Sequence, residues 1–164
     1  MTAQFPEKLI YKGEELTLCE TPLSLLTKSD TFHWKFRGTC TALWRGYVGT
    51  WCIEADRLYL KAIEIENDDD DSGGWKSLPL HEQFANSADG VFAHWYTGEL
   101  RCPRGGLLKY VHGGYASTYE EDLFLKIQKG RLESERVVRN GDPPESGSSG
   151  YRVNAFYQGP RSEE

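Results

Sequence analysis

The chain has 164 residues, enough for one domain with a sizeable core, and its 38% hydrophobic fraction excludes a disordered chain. A formal net charge of −6 argues against binding a nucleic-acid phosphate backbone or an anionic membrane surface. It fits a basic protein partner, or plain solubility.

An aromatic share of 13% favours half-buried sheet. No apolar run reaches about 18 residues, so no transmembrane helix is expected. Met1 to Lys8 carries no apolar stretch of the secretory kind, and a cytoplasmic address is expected. The four cysteines, Cys19, Cys40, Cys52 and Cys102, show no C-x-x-C spacing. Reduced, packed thiols are expected, not a zinc site, a redox motif or disulfides. Nothing calls for a cofactor.

In chain order, Leu9 to Tyr11, a turn at Lys12-Gly13-Glu14, and Leu16 with Leu18 predict a first hairpin. Pro22 breaks it. Leu23 to Leu26 predicts a short apolar turn plugging one end of the sheet. Phe32, Trp34 and Phe36 alternate with His33 and Lys35, which suits a strand.

The stretch from Arg45 to Ile63 predicts the central hairpin. Trp51, Ile53 and Ala55 alternate with polar neighbours, Ala55-Asp56-Arg57 turns, and Leu58, Leu60 and Ala62 share the returning face. Gly49-Thr50-Trp51 resembles the G-x-W of lipocalin-like barrels, whose tryptophan closes one end of the barrel.

Asp68, Asp69, Asp70 and Asp71 run into Ser72-Gly73-Gly74, a solvated acidic loop. A calcium loop of the EF-hand kind fails there, because its closing glutamate would fall at Pro79. Leu80 and Phe84, four apart, predict a single helical turn. Val91, Ala93 and Trp95 predict a strand beside His94; Glu99 to Cys102 predicts another, ending at Pro103. Arg104-Gly105-Gly106 predicts a turn, and Leu107 to His112 a short strand. Tyr119 to Lys129 predicts a strand with Tyr119, Glu121, Leu123, Leu125 and Ile127 on one side. Lys129-Gly130 then turns into Arg131 to Arg139 as a second clear hairpin. From Gly141 the composition is rich in Gly, Ser and Pro, a flexible linker leading to Tyr151, Val153, Phe156 and Tyr157, which either dock as an extra strand or form a mobile tail.

The fold class expected is all-β, or β-rich α+β: an antiparallel meander curled into a barrel or sandwich, with at most one or two short helices. One β domain is expected over residues 5–140, with a flexible C-terminal tail over 141–164.

Two segments are candidates for function. The first is Asp68 to Asp71 with Trp75, an acidic loop beside a tryptophan expected to be exposed, suited to a partner carrying Lys and Arg. The second is His112 to Glu120, which gathers an imidazole, two phenols (Tyr115 and Tyr119), two hydroxyls and the Glu120 carboxylate beside two glycines. His112 as a general base oriented by Glu120 can be written down, but no G-x-S-x-G elbow surrounds Ser117.

The strings Tyr11-Lys-Gly-Glu14, Arg45-Gly-Tyr47, Trp95-Tyr-x-Gly-x-Leu100 and Tyr110-Val-His-Gly-Gly-Tyr-Ala-Ser-Thr-Tyr-Glu120 resemble those of a group of small bacterial mostly-β proteins. The resemblance covers about residues 9–138 and implies a compact bacterial cytoplasmic domain, with no activity to carry over.

The function expected first is non-enzymatic binding of another protein, as an immunity or inhibitor protein does, with no nucleic acid and no membrane. A small-molecule-binding barrel or hydrolase-like enzyme with its site at residues 112–120 is the alternative. An accessory subunit of a larger complex is the third reading.

Overall fold

A computed structural model describes residues 4–30, 32, 34–38, 40–67 and 74–141. The chain is mostly strand. β1 (Glu7–Tyr11) and β2 (Glu14–Leu18) form the first hairpin, followed by a one-turn helix, α1 (Ser24–Thr27). Next come β3 (Val48–Glu54), β4 (Arg57–Glu66), the short β5 (Trp75–Ser77), a 3-10 turn at Leu80–Glu82, and β6 (Val91–Phe92). β7 (Gly98–Lys109), β8 (Thr118–Gln128) and β9 (Arg131–Arg139) close the series.

All nine strands belong to one sheet, ordered β2-β1-β3-β4-β9-β8-β7, with β5 and β6 paired to β4. The all-β expectation therefore holds, with one change to the meander. β1 lies parallel to β3, with Leu9 opposite Trp51. A parallel neighbour needs a long crossover, and the connection from β2 to β3 supplies it.

The sheet is not closed, and it folds over on two thin seams. β4 meets β9 at Arg57 opposite Arg131. The two edge strands approach where Cys19 N–H donates to the Arg101 carbonyl at 2.8 Å. Leu9, Leu18, Trp51, Leu60, Leu100 and Leu125 are fully buried between the two leaves. Each such side chain contributes about 1.5–3 kcal/mol on burial. The core therefore holds the leaves together far more than the seams do.

All three predicted hairpins form, each on a two-residue turn; in the first, Lys12 and Gly13 have φ of 52° and 76°. Ala55 and Asp56 have φ of 49° and 58°, and Lys129 and Gly130 have φ of 48° and 81°. Two consecutive left-handed residues match the right-handed twist of the flanking strands. The helical turn at residues 80–84 is also present, with Phe84 N–H bonded to the Leu80 carbonyl at 2.9 Å.

Four local expectations change. The face of β4 switches midway: Thr50 pairs with Ala62 but Trp51 with Leu60, so Lys61 is an extra residue. That bulge turns Ile63, not Ala62, into the core beside Leu58 and Leu60. The described residues around Phe32, Trp34 and Phe36 form no strand. Their rings pack on one another instead, at 5.9 to 6.4 Å. The strand predicted over 91–95 stops at Phe92, and His94-Trp95 turns.

The chain does not turn at Arg104-Gly106. β7 runs through Pro103 and both glycines, with a register shift between Arg104 and Leu107. Pro is tolerated because β7 lies at the edge of the sheet. Gly105, at φ 81°, absorbs the bulge, and a Cβ there would sit 2.7 Å from the Glu120 carboxylate.

The β3–β4 turn carries an avoidable cost, because Ala55 has a Cβ and sits in the left-handed region. Asn tolerates that conformation and is preferred in such turns. Ala55→Asn is expected to raise unfolding free energy by about 0.5–1 kcal/mol, read from the urea midpoint at unchanged slope. Ala55→Val is expected to lower it; the reverse order would show that the turn is not strained at this residue.

Candidate functional site

The alternation that sends Leu9 inward also sends Glu7 inward, at the start of β1. Glu7 is fully buried. Its Oε2 accepts a hydrogen bond from Arg45 Nη2 at 2.9 Å and another from the Gly49 N–H. Arg45, in the loop before β3, donates through Nη1 to the Tyr115 hydroxyl at 3.2 Å. Tyr115 donates in turn to the Phe5 carbonyl at 3.2 Å. Gly49 has to be glycine here: an added Cβ would lie 2.8 Å from both Glu7 Oε1 and Trp51 Nε1.

Burial pushes the Glu7 carboxyl above the usual carboxylate range, against the pull of Arg45 and the Gly49 N–H. Burial likewise pushes up the phenols of Tyr47 and Tyr115. Glu7 Oε1, Arg45 Nε, Tyr47 Oη and Trp51 Nε1 are buried without a well-formed hydrogen bond, although the Trp51 indole favours the ionised Glu7. Glu7 and Tyr47 are shut off from solvent, while Arg45 and Tyr115 are partly exposed at the margin of the cluster.

A second polar cluster pins the Gly-rich loop. Arg101 Nε pairs with Asp122 Oδ1 at 2.9 Å, and Asn140 donates to Asp122 Oδ2 at 2.9 Å. The other arms of Arg101 hold the carbonyls of Tyr115, at 2.6 Å, and Ser117, at 2.9 Å. Ser117 is spent on the backbone of Val111, whose N–H donates to its hydroxyl at 3.0 Å.

The residues singled out between 112 and 120 therefore separate. Tyr115 joins the Glu7–Arg45 cluster. His112 is exposed and shares a hydrogen bond with Tyr110 across 3.2 Å. Tyr119 is half-buried on β8. Glu120 lies against the bulge glycines of β7. The hydrogen bond of the His112 ring goes to a phenol and not to the Glu120 carboxylate. Of the other candidate segment, Asp68, Asp69, Asp70 and Asp71 lie outside the described residues, as do His33 and the tail from 142. Trp75 is half-buried on β5, edge-on to Phe5 at 6.3 Å. The exposed tryptophan is Trp44, at 58%.

Burial pushes the Cys19 and Cys102 thiols each up to about 12, which keeps both protonated near neutrality. Among the described residues no three His, Cys, Asp or Glu side chains converge in a way that would hold a metal ion.

A recess open to solvent mixes aromatic and polar side chains, with Gln83, Asn86, Asp89 and His94 beside the rings. A groove of ≈ 680 Å³ runs between α1 and residues 83–95, and Tyr59, Phe84, Phe92 and Trp95 line it. Phe84 stacks on Trp95 with centroids 6.2 Å apart, and Tyr59 meets Phe92 at 6.0 Å. The Trp95 indole is fixed by donating to the Pro22 carbonyl at 2.8 Å. A second groove, lined by Lys61, Ser77 and Leu80, joins the first at Phe84, Ala85 and Asn86.

Sequence reasoning missed this groove, because its residues come from three separate segments. It also missed Glu7, although the shared parity of Glu7, Leu9 and Tyr11 was a signal.

The Glu7–Arg45 pair makes a sharp energetic statement. Arg45→Met leaves a buried carboxylate without its counter-ion and is expected to cost about 3–5 kcal/mol. The double variant Glu7→Gln/Arg45→Met is expected to cost clearly less than the two single changes added together, in urea denaturation. Additive costs would show that the two side chains are not coupled.

Comparison with protein-family models, with curated proteins and with solved structures finds no match to this chain.

Proposed function

We propose that this is a non-enzymatic protein-binding domain of the immunity or inhibitor kind, which takes a segment of its partner in the aromatic groove beside residues 83–95. The observation that carries the reading is the division of labour among side chains. Residues with chemistry to offer, Glu7, Arg45, Tyr115, Ser117 and Asp122, are committed to one another or to backbone. The accessible recess instead presents the rings of Tyr59, Phe84, Phe92 and Trp95, with Gln83, Asn86, Asp89 and His94 as its polar margin. Buried aromatic anchors carry most of the affinity at protein interfaces.

A barrel holding a small molecule in its interior fits less well, because Leu9, Trp51, Leu60, Leu100 and Leu125 fill that space. The net charge of −6, and the acidic residues Asp68 to Asp71 just ahead of β5, favour a partner bearing Lys and Arg.

Ala85 is exposed and lines both grooves, so Ala85→Arg obstructs them without touching the core. The partner is captured with the tagged full-length chain and the interaction is then measured with purified proteins. Ala85→Arg is expected to weaken binding about tenfold or more, and Ala116→Arg, in the exposed part of the Gly-rich loop, to leave it unchanged. Replacing Asp68 to Asp71 by Asn is expected to slow association and flatten its salt dependence. Binding that tolerates Ala85→Arg and fails with Ala116→Arg would move the site to residues 112–120.

A further inference from the structure

We infer that the outer edge of β9 pairs with β9 of a second copy of this chain, antiparallel and centred on Val137. This interface goes beyond the groove and does not depend on it. β9 pairs along its length with β8. On its other side, among the described residues, its strand neighbour is β4 at Arg57 opposite Arg131, next to Leu132 N–H on the Asp56 carbonyl. From Glu133 onward that edge has no strand partner among the described residues.

The register settles which groups face outward. Asn140 N–H donates to the Glu120 carbonyl, so residues of the same parity, Val138 and Arg136, turn their backbone groups toward β8. Glu135, Val137 and Arg139 therefore turn their N–H and C=O groups away from β8, to the open edge. An edge of this kind is a template for another strand.

The side chains choose the partner. In a two-fold antiparallel pair centred on Val137, Val137 opposes its own copy, and Glu135 opposes Arg139 twice. The same three residues whose backbone groups face outward become the hydrogen-bonded pairs of the new ladder. Val137, 53% exposed although it lies beside the buried Leu123, gains a cover. Neighbouring registers do less well: centring on Glu135 sets Glu135 against Glu135 and Arg131 against Arg139, centring on Arg136 keeps two Glu133–Arg139 pairs but sets Arg136 against itself, and centring on Val138 sets Arg139 against Val137 and makes no opposite-charge pair. Like charges directly opposite destabilise a sheet, and opposite charges support it.

Glu135 already accepts from the Tyr11 hydroxyl at 2.6 Å and pairs with Lys12 Nζ at 3.4 Å, and Arg139 has a partner in its own chain. A carboxylate has about four acceptor sites and a guanidinium five donors, so each can serve a second contact.

The test is sedimentation equilibrium of the full-length chain over a concentration series, with circular dichroism as the check on folding. A reversible monomer–dimer equilibrium is expected. Arg139→Glu alone and Glu135→Arg alone each place like charges opposite one another and are expected to weaken the dimer about tenfold or more. The double variant Glu135→Arg/Arg139→Glu restores opposite charges and is expected to return within about threefold of the parent, a rescue that a merely structural role would not produce. Ala85→Arg is expected to leave self-association untouched, which keeps this result separate from the groove. A wild-type chain that stays monomeric throughout, or a dimer indifferent to Arg139→Glu, would overturn the inference.

Discussion

One buried carboxylate ties the fold together. Glu7 stands at the first residue of β1 with no access to water. An ionised carboxylate there is expensive unless its oxygens are met by charge and by hydrogen bonds. Arg45 and the Gly49 N–H meet one oxygen. Arg45 in turn reaches Tyr115, and Tyr115 reaches the backbone of Phe5. That chain of contacts joins the N-terminal strand, the loop entering β3 and the Gly-rich loop between β7 and β8. These three segments are far apart in sequence, and the two loops have no regular structure of their own to hold them there. The cluster therefore specifies position more than it supplies stability; the core of Leu, Ile and Trp supplies the stability.

The same division explains how an open sheet stays folded over. Its seams are thin, one at Arg57–Arg131 and one at Cys19–Arg101. Backbone pairing across such seams would contribute little, about 0.5–1.5 kcal/mol per hydrogen bond. Trp51 and the buried leucines between the leaves outweigh that several times over. Arg101 adds a local brace from outside the core: its guanidinium holds Asp122 on one arm and two carbonyls of the Gly-rich loop on the others. A loop with two adjacent glycines would otherwise carry a large ordering cost.

Local features were legible in the sequence, and non-local ones were not. The β3–β4 and β8–β9 hairpins were readable because alternation and a two-residue turn are both short-range signals. The bulge at Lys61 was not, because it depends on how β4 meets β3, and it reversed the assignment of Ala62 and Ile63. The parallel pairing of β1 with β3 was invisible for the same reason. Gly105-Gly106 looked like a turn since glycine pairs often are; in an edge strand they mark a bulge. In the 112–120 segment Tyr115 was picked out for its chemistry, but its hydroxyl serves the Glu7 cluster. His112 and Glu120 were grouped by proximity in sequence, while the strand carries their side chains to different neighbours.

The groove beside residues 83–95, where a partner is proposed to bind, is ordered in the free chain. This segment has little regular structure, yet its backbone is tied at intervals. Leu78 N–H donates to Ile63, Ala93 N–H to Leu58, and the Tyr96 carbonyl accepts from Gly130, all at 2.8 to 2.9 Å. The Trp95 ring is fixed through Pro22 and stacked on Phe84. Ordering a flexible loop or a mobile side chain on binding costs about 0.5–1.5 kcal/mol for each side chain immobilised. Rings already held in place avoid most of that cost, so even a modest contact area leaves a net attraction. An aromatic recess fixed in this way, by backbone hydrogen bonds, the Pro22 carbonyl and ring stacking, suits recognition of the kind proposed.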